Sequence, residues 1–387
     1  MRVFVTAGEP SGDKLGAAMM AGLKQLVPGV TFRGIGGPLM EAEGLDSLFP
    51  MDEISIMGIT EILKEYRHLK GRIRQTADAV IKERPDVLIT IDLPEFSLRV
   101  ARLVKAVSDV RIVHYVAPTV WAWRPKRAAK MAVHVDQVLA LFPFEPPYME
   151  AAGIACDFVG HPVVMDPQAT ATEAQAFRAR HRIDAEMALV LPGSRRSEVG
   201  RLLPIFEDVL RRVLAVRPGL RSVIPVAAPV AETVKAAVRD WPGNPLVIDP
   251  AQDQTGAEKR AAFRAADVAL AASGTVSLEL AAASTPMVIA YDMSWLSRQI
   301  IGRMLLVDSL TLVNLVSETR VVPEFIGARC LPEPIAAAME QVLVAPTAQN
   351  EAMALTMDRL GQGGDPPGLR AARAVIDGLS AAAGPKH

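Results

Sequence analysis

The chain has 387 residues, half of them hydrophobic, and a formal net charge of −1. That length exceeds one ordinary core, so two domains are expected, while near-neutrality leaves no global basic field for nucleic acid. No apolar run approaches the ~18 residues of a membrane span, and two distant cysteines, Cys156 and Cys330, exclude a disulfide framework and offer no zinc spacing.

The chain opens as a strand, Val3–Thr6, with no signal peptide expected. The turn "AGEPSGD" follows, with Gly8 and Gly12, and a helix is predicted from near Ser11. Its glycine spacing is neither a dinucleotide fingerprint nor a Walker A loop, and no Gly-Lys pair occurs anywhere. Either Ser11 and Asp13 cap the helix, or the turn meets a ligand. A strand at Thr31–Gly34 leads into "GIGGPLM", whose Gly36-Gly37 pair either admits a ligand close to the backbone or is plain turn chemistry. The strand Val87–Ile91 ends at Asp92. A carboxylate at the carboxyl end of a parallel strand either caps the next helix or serves as a general base, with Glu95 as backup or orienting partner. In the strand Ile112–Val116, His114 sits mid-strand and reads as a satisfied core histidine. After it comes "HYVAPTVWAWRPKRAAKM". Trp121, Trp123, Arg124, Lys126 and Arg127 form either a buried aromatic knot with a basic helix start or a grip for anionic groups. Strands at Gln137–Ala140 and Asp157–Val159 complete this half, and the boundary is placed at Pro162–Thr172.

A second set follows, with strands at Ala188–Leu191, Arg221–Pro225, Leu246–Ile248, Val268–Ala271 and Met287–Ala290. The first runs into "PGSRRSEV", where a glycine turn carrying Arg195 and Arg196 opens a helix, the arrangement that aims backbone N–H groups at an anion. The fourth runs into "ASGTVSLE": Ser273, Gly274 and Thr275 precede a helix bearing Glu279, which either steadies the helix start or accepts from ribose hydroxyls. The tail from Asn350 reads as helical, broken at "GQGGDPPG". Strand–helix alternation repeated twice predicts two Rossmann-like, doubly wound α/β domains facing a central cleft, spanning 1–165 and 166–387, with the tail at about 350–387 packing back on the first. Six scattered histidines and the lack of any Asp-x-Asp give no metal motif, so no metal or other cofactor is expected.

Eleven blocks stand in order along nearly the whole chain: "AGEPSGD", "GIGGPLMEAEG", "MGITEIL", "IDLPEF", "HYVAPTVWAWRPKR", "LFPFE", "FVGHP", "LPGSRRSEV", "ASGTVSLE", "TPMVIAY" and "LTLVNLV". Together they resemble the lipid-A-disaccharide synthase family of two-domain GT-B glycosyltransferases, which is similar in its second half to other UDP-sugar enzymes. The resemblance implies an inverting transfer from UDP-2,3-diacylglucosamine to 2,3-diacylglucosamine 1-phosphate, giving a β-1,6-linked tetraacyl disaccharide 1-phosphate and UDP. It implies Asp92 as base on the acceptor hydroxyl, Arg195 as the essential arginine, Asn314 as an asparagine needed for activity, and Glu279 as ribose ligand. Substrate and UDP are expected on Gly8, Ser11, Gly12, Gly193, Ser194, Arg195, Ser273, Gly274, Thr275 and Glu279. The sequence departs from the family at Pro10, where Ala or Thr is commoner, and at Glu95, where Asp is common.

Acylated substrates imply work at the cytoplasmic face of the inner membrane of a Gram-negative cell, as a peripheral protein compatible with a homo-oligomer. The segment Ile54–Arg74 sets Ile56, Met57, Ile59, Ile62 and Leu63 beside Lys64, Arg67 and further cations, which suits an interfacial helix or packing on its own sheet. "SWLSRQIIGRMLL" (294–306) offers the same two readings. The rival functions are a UDP-sugar 2-epimerase, which shares the second half, and a non-catalytic nucleotide-sugar-binding protein, which has no use for Asp92.

Overall fold

The structure, a computed structural model, describes residues 1–55, 59–121, 126–293 and 307–383, without the side chains of 59–66 and 383. The chain divides into two compact units, Met1–Pro162 with Gly363–His387, and Val163–Gln362.

In unit 1 the elements run β1 (Arg2–Thr6), α1 (Pro10–Leu26), β2 (Thr31–Ile35), α2 (Pro38–Ala42), β3 (Leu45–Ser47), α3 (Ile59–Glu83), β4 (Val87–Ile91), α4 (Pro94–Lys105), β5 (Arg111–Tyr115), α5 (Lys126–Ala132), β6 (Gln137–Ala140), α6 (Pro146–Glu150) and β7 (Ala155–Phe158). Its strands pair in parallel in the order β3-β2-β1-β4-β5-β6-β7. Every residue of β4, VLITI, is buried, as a central parallel strand covered on both faces requires.

Unit 2 comprises α7 (Ala171–Arg180), β8 (Met187–Leu191), α8 (Arg196–Val216), β9 (Arg221–Pro225), α9 (Ala231–Val238), β10 (Leu246–Ile248), α10 (Ala257–Ala265), β11 (Val268–Ala272), α11 (Val276–Ala282), β12 (Met287–Tyr291), α12 (Leu312–Ser317), β13 (Glu324–Ile326), α13 (Pro332–Val344) and α14 (Thr347–Arg359). The parallel order is β10-β9-β8-β11-β12-β13. Strands β8 and β11 are again buried throughout. In both sheets the first strand of the unit sits beside the fourth, so the winding reverses between β1 and β4 in one and between β8 and β11 in the other. Ligands of open α/β sheets bind at the carboxyl ends of that strand pair.

The tail divides between the units. Helix α14 stays in unit 2, whereas α15 (Pro367–Ala383) packs on α1 in unit 1. Glycines let those two backbones meet: a Cβ on Gly22 would lie 2.9 Å from the carbonyl oxygen of Gly368, and one on Gly368 would lie 2.5 Å from that of Ala18. Two edge strands, β3 and β13, are absent from the sequence reading. Each has three residues, too short for alternation to register.

Candidate active site

At the unit 2 reversal, β8 ends in Leu191 and the turn Pro192–Arg195 delivers the chain into α8, with Arg195 in extended backbone as its N-cap. Gly193 holds φ +104°, a conformation that favours glycine, and a Cβ there would lie 2.8 Å from Oε2 of Glu198. Glu198 in turn accepts from Nη1 of Arg195 at 3.0 Å, which tethers an otherwise exposed guanidinium over the helix start. The neighbouring strand β11 ends in the matching turn, Ser273-Gly274-Thr275, with Gly274 at φ +149°. The two turns line one cavity of ≈ 430 Å³, together with Glu198, Lys259, Phe263 and Glu279. Thus Gly193, Ser194, Arg195, Ser273, Gly274, Thr275 and Glu279 come together at one place. Glu279 is not merely settled on its own helix start: its Oε2 accepts from Nζ of Lys259 at 2.7 Å. Lys259 escapes the sequence reading because it reaches Glu279 from α10.

Asn314 does not join that cavity's lining. It is buried, and its amide is occupied: Nδ2 donates to the carbonyl of Val322 at 2.9 Å and Oδ1 accepts from the Val322 N–H at 3.0 Å. These two bonds clasp the segment between α12 and β13.

At the unit 1 reversal, β4 delivers Asp92 and Leu93 into consecutive left-handed conformations, φ +49° and +46°. Asp tolerates this region and Leu does not, so the turn stores strain of order 1 kcal/mol. Hydrogen bonds hold it: the Asp92 N–H donates to the carbonyl of Tyr115 at 2.9 Å, and Ser97 Oγ donates to the carbonyl of Asp92 at 2.7 Å. Burial raises the pKa of the Asp92 carboxyl above its ordinary value, against the Leu93 N–H and the Arg127 guanidinium, which favour the charged form. Helix capping is not its task, since Leu93 is the N-cap of α4 and no side chain caps it. Glu95 is mostly exposed, 3.2 Å from Arg99 and 3.8 Å from Arg127.

Gly8 lies against this turn. A Cβ on it would be 2.5 Å from Cδ2 of Leu93, so Gly8 and Asp92 share the β1/β4 end of unit 1. In the first turn of α1, Gly12 is buried and Ser11 exposed. These three therefore belong to unit 1, not to the cavity with Arg195. Ser11 and Asp13 do not stand at the cap of α1: both lie within the helix, whose N-cap is Glu9. Asp13 is buried and caps α2 instead, accepting from the N–H groups of Gly37 at 2.9 Å, Met40 at 3.0 Å and Leu39 at 3.0 Å. Gly36 and Gly37 accordingly face Met40 and the Asp13 carboxylate, with built Cβ contacts of 2.8 Å and 2.6 Å, rather than a ligand.

His114 is buried with Nδ1 at 2.8 Å from Thr90 Oγ1 and is pushed down to about 4 by burial, the satisfied core histidine its position predicts. Trp121 is buried too, its indole N–H directed at Glu145. Trp123 and Arg124 lie outside the described residues, as do Ile56, Met57 and the segment 294–306; Ile59, Ile62, Leu63 and Lys64 are described only as backbone of α3. Arg67 is exposed on α3. Farther along that helix, Lys70 and Arg74 share a groove with Arg99 and Arg102 of α4.

Among the described residues no group of three or more His, Cys, Asp or Glu side chains could hold a metal ion. The sequence profile described as lipid-A-disaccharide synthetase matches residues 3–364. The lipid-A-disaccharide synthase of Ruegeria pomeroyi is 62% identical over 383 residues, covering 98% of this chain and 96% of the relative. That of Rhodospirillum centenum is 46% identical over 383 residues, covering 97% and 94%. Among solved structures, the Neisseria meningitidis UDP-GlcNAc 2-epimerase bound to UDP-GlcNAc is similar with a TM-score of 0.60 at 12% identity, over 98% of this chain and 99% of that one. MurG of Acinetobacter baumannii is similar with a TM-score of 0.52 at 14% identity, over 98% and 99%. At such identities the likeness is one of fold, the two-domain GT-B type.

Proposed function

The chain belongs to the lipid-A-disaccharide synthetase family, and on that premise we propose how its residues divide the work of an inverting glycosyl transfer. The donor is UDP-2,3-diacylglucosamine, the acceptor 2,3-diacylglucosamine 1-phosphate, and the products are the β-1,6-linked tetraacyl disaccharide 1-phosphate and UDP. The 2-epimerase and pure binding-protein readings have no comparable support.

The observation that carries the assignment of roles is the cavity shared by the β8 and β11 turns. A diphosphate there meets Arg195, the hydroxyls of Ser194, Ser273 and Thr275, and the open N–H groups that begin α8, a 21-residue helix whose positive end favours anions. Glu279 offers a carboxylate to ribose hydroxyls. Asp92 in unit 1 accepts the proton of the acceptor 6-hydroxyl as its oxygen bonds to the donor anomeric carbon. The bond from that carbon to the β-phosphate oxygen breaks, and its electron pair leaves with UDP. Burial makes Asp92 more basic than an ordinary carboxylate, which favours proton acceptance, while the Leu93 N–H and the Arg127 guanidinium favour its charged form. Donors aimed at the leaving oxygen are worth about 10²–10³ each in rate. In this reading no metal is needed, because Arg195 and N–H groups carry the diphosphate charge.

No helix among the described residues is long and apolar enough to cross a membrane. Acylated substrates then require the protein to work at a bilayer surface, peripherally at the cytoplasmic face of the inner membrane. Exposed Arg67 and the Lys70, Arg74, Arg99 and Arg102 groove support docking on anionic headgroups. Co-sedimentation with phosphatidylglycerol vesicles, weakened by Arg67→Glu with Arg74→Glu, tests this; unchanged sedimentation removes these cations from the account.

UDP release from the donor, with and without acceptor, in detergent and EDTA, tests the activity. Acceptor-dependent release with disaccharide formed is expected. Release that needs no acceptor, or a 2-epimer as product, overturns it.

A further inference from the structure

Lys259 breaks a local rule. It is the third residue of α10, where the positive end of the helix favours acids and opposes a cation. Asp253 already caps that end, accepting from the N–H groups of Glu258 at 3.1 Å and Lys259 at 2.8 Å. The ammonium lies 5.1 Å from the Phe263 ring centroid, one turn on, and 2.7 Å from Glu279 Oε2 on α11. Lys259, Phe263 and Glu279 line both the ≈ 430 Å³ cavity and a neighbouring one of ≈ 290 Å³. The ion pair is therefore part of the wall the two cavities share. Local rules are broken where function compensates, and a half-exposed ion pair adds little stability by itself.

Glu279 is the beneficiary. A glutamate has three rotatable bonds, and one at a helix start can fold back on its own N–H groups. With Oε2 on Lys259, its side chain makes no other hydrogen bond among the described residues, which leaves Oε1 to accept from a ligand.

We propose that Lys259 is a positioning residue for the donor nucleotide, holding Glu279 in the rotamer that takes a ribose hydroxyl and so setting the preference for a ribonucleotide over its 2′-deoxy form. The inference rests on the reading of the unit 2 cavity as the UDP site.

Calorimetric titration of the full-length protein with UDP and with 2′-deoxy-UDP tests it, in wild type, Lys259→Met, Lys259→Arg, Glu279→Gln and the double variant. Wild type is expected to bind UDP about tenfold more tightly than the deoxy form, the scale of one charge-assisted hydrogen bond. Lys259→Met is expected to shrink that ratio to about 2, Lys259→Arg to keep most of it, and the double variant to match Glu279→Gln. A ratio untouched by Lys259→Met, with a ratio lost in Glu279→Gln, overturns the positioning role while leaving the UDP site standing. Equal loss of both affinities in Lys259→Met, ratio unchanged, also overturns it, because the lysine then contacts phosphate directly. Failure of wild type to bind UDP overturns the site and the inference together.

Discussion

Glu145 is a buried carboxyl of unit 1 outside the proposed chemistry, and its replacement by Gln has a specific signature. The two prolines after it, Pro146 and Pro147, have no N–H to satisfy at the start of α6. The carboxylate turns back: Oε2 accepts from the N–H groups of Leu141 and Phe142, both at 3.0 Å, and Oε1 faces the Trp121 indole N–H at 3.4 Å. Burial pushes this carboxyl up to about 8, against those three donors. Below the unfolded value near 4.5 both states hold the proton and the group is neutral in its effect on stability. From there to about 8 only the folded state holds it, so stability falls as pH rises, by ~1.4 kcal/mol per pH unit and about 5 kcal/mol in all. Above that the slope vanishes. In Glu145→Gln the amide oxygen keeps the two backbone N–H groups, and its NH₂ meets the indole N–H donor to donor, a pH-independent cost of about 1–3 kcal/mol. The variant is therefore expected to be less stable than wild type at pH 5 and more stable at pH 8, the two curves crossing between. Urea titrations at four pH values read this, with hydrogen exchange of the segment 137–146 marking the transition that belongs to unit 1. All other titrating groups cancel in the difference. A stability difference that does not change with pH refutes the reasoning.

Asp13→Ala strips the cap from α2 and leaves the N–H groups of Gly37, Leu39 and Met40 without their acceptor; at least ~3 kcal/mol of destabilisation is expected from thermal unfolding, with Asp13→Asn losing less because one oxygen holds two of the three bonds. The acid limb of kcat/KM is expected above the ordinary carboxylate range because burial raises Asp92, and Arg127→Ala is expected to move that limb to still higher pH, since the guanidinium favours the ionised carboxylate; a limb that stays put in the variant removes Arg127 from the account.

Much of this architecture can be read from the residues in order. Strands β4, β8 and β11 are buried throughout and almost wholly apolar because both faces are covered, and their carboxyl ends carry Asp92, Gly193–Arg195 and Ser273–Thr275, the residues the fold collects at its two reversal points. What could not be read depends on partners distant in sequence. Asp13 looks like a cap for its own helix until the fold brings Gly37 alongside, 24 residues on. Lys259 finds Glu279 across 20 residues and two elements. Asn314 carries no local mark of the Val322 clasp that its amide makes. The strands β3 and β13 are legible only as edges added to sheets that already exist.

The central claim is that Asp92 takes the acceptor's proton while Arg195 holds the leaving diphosphate. Single-turnover disaccharide formation, measured beside UDP affinity in Asp92→Asn and Arg195→Ala, tests it most directly. The account predicts a loss of about 10²–10⁴ in turnover for Asp92→Asn with UDP affinity intact, and a loss in both turnover and affinity for Arg195→Ala. Near-normal turnover in Asp92→Asn, or UDP affinity untouched in Arg195→Ala, contradicts it.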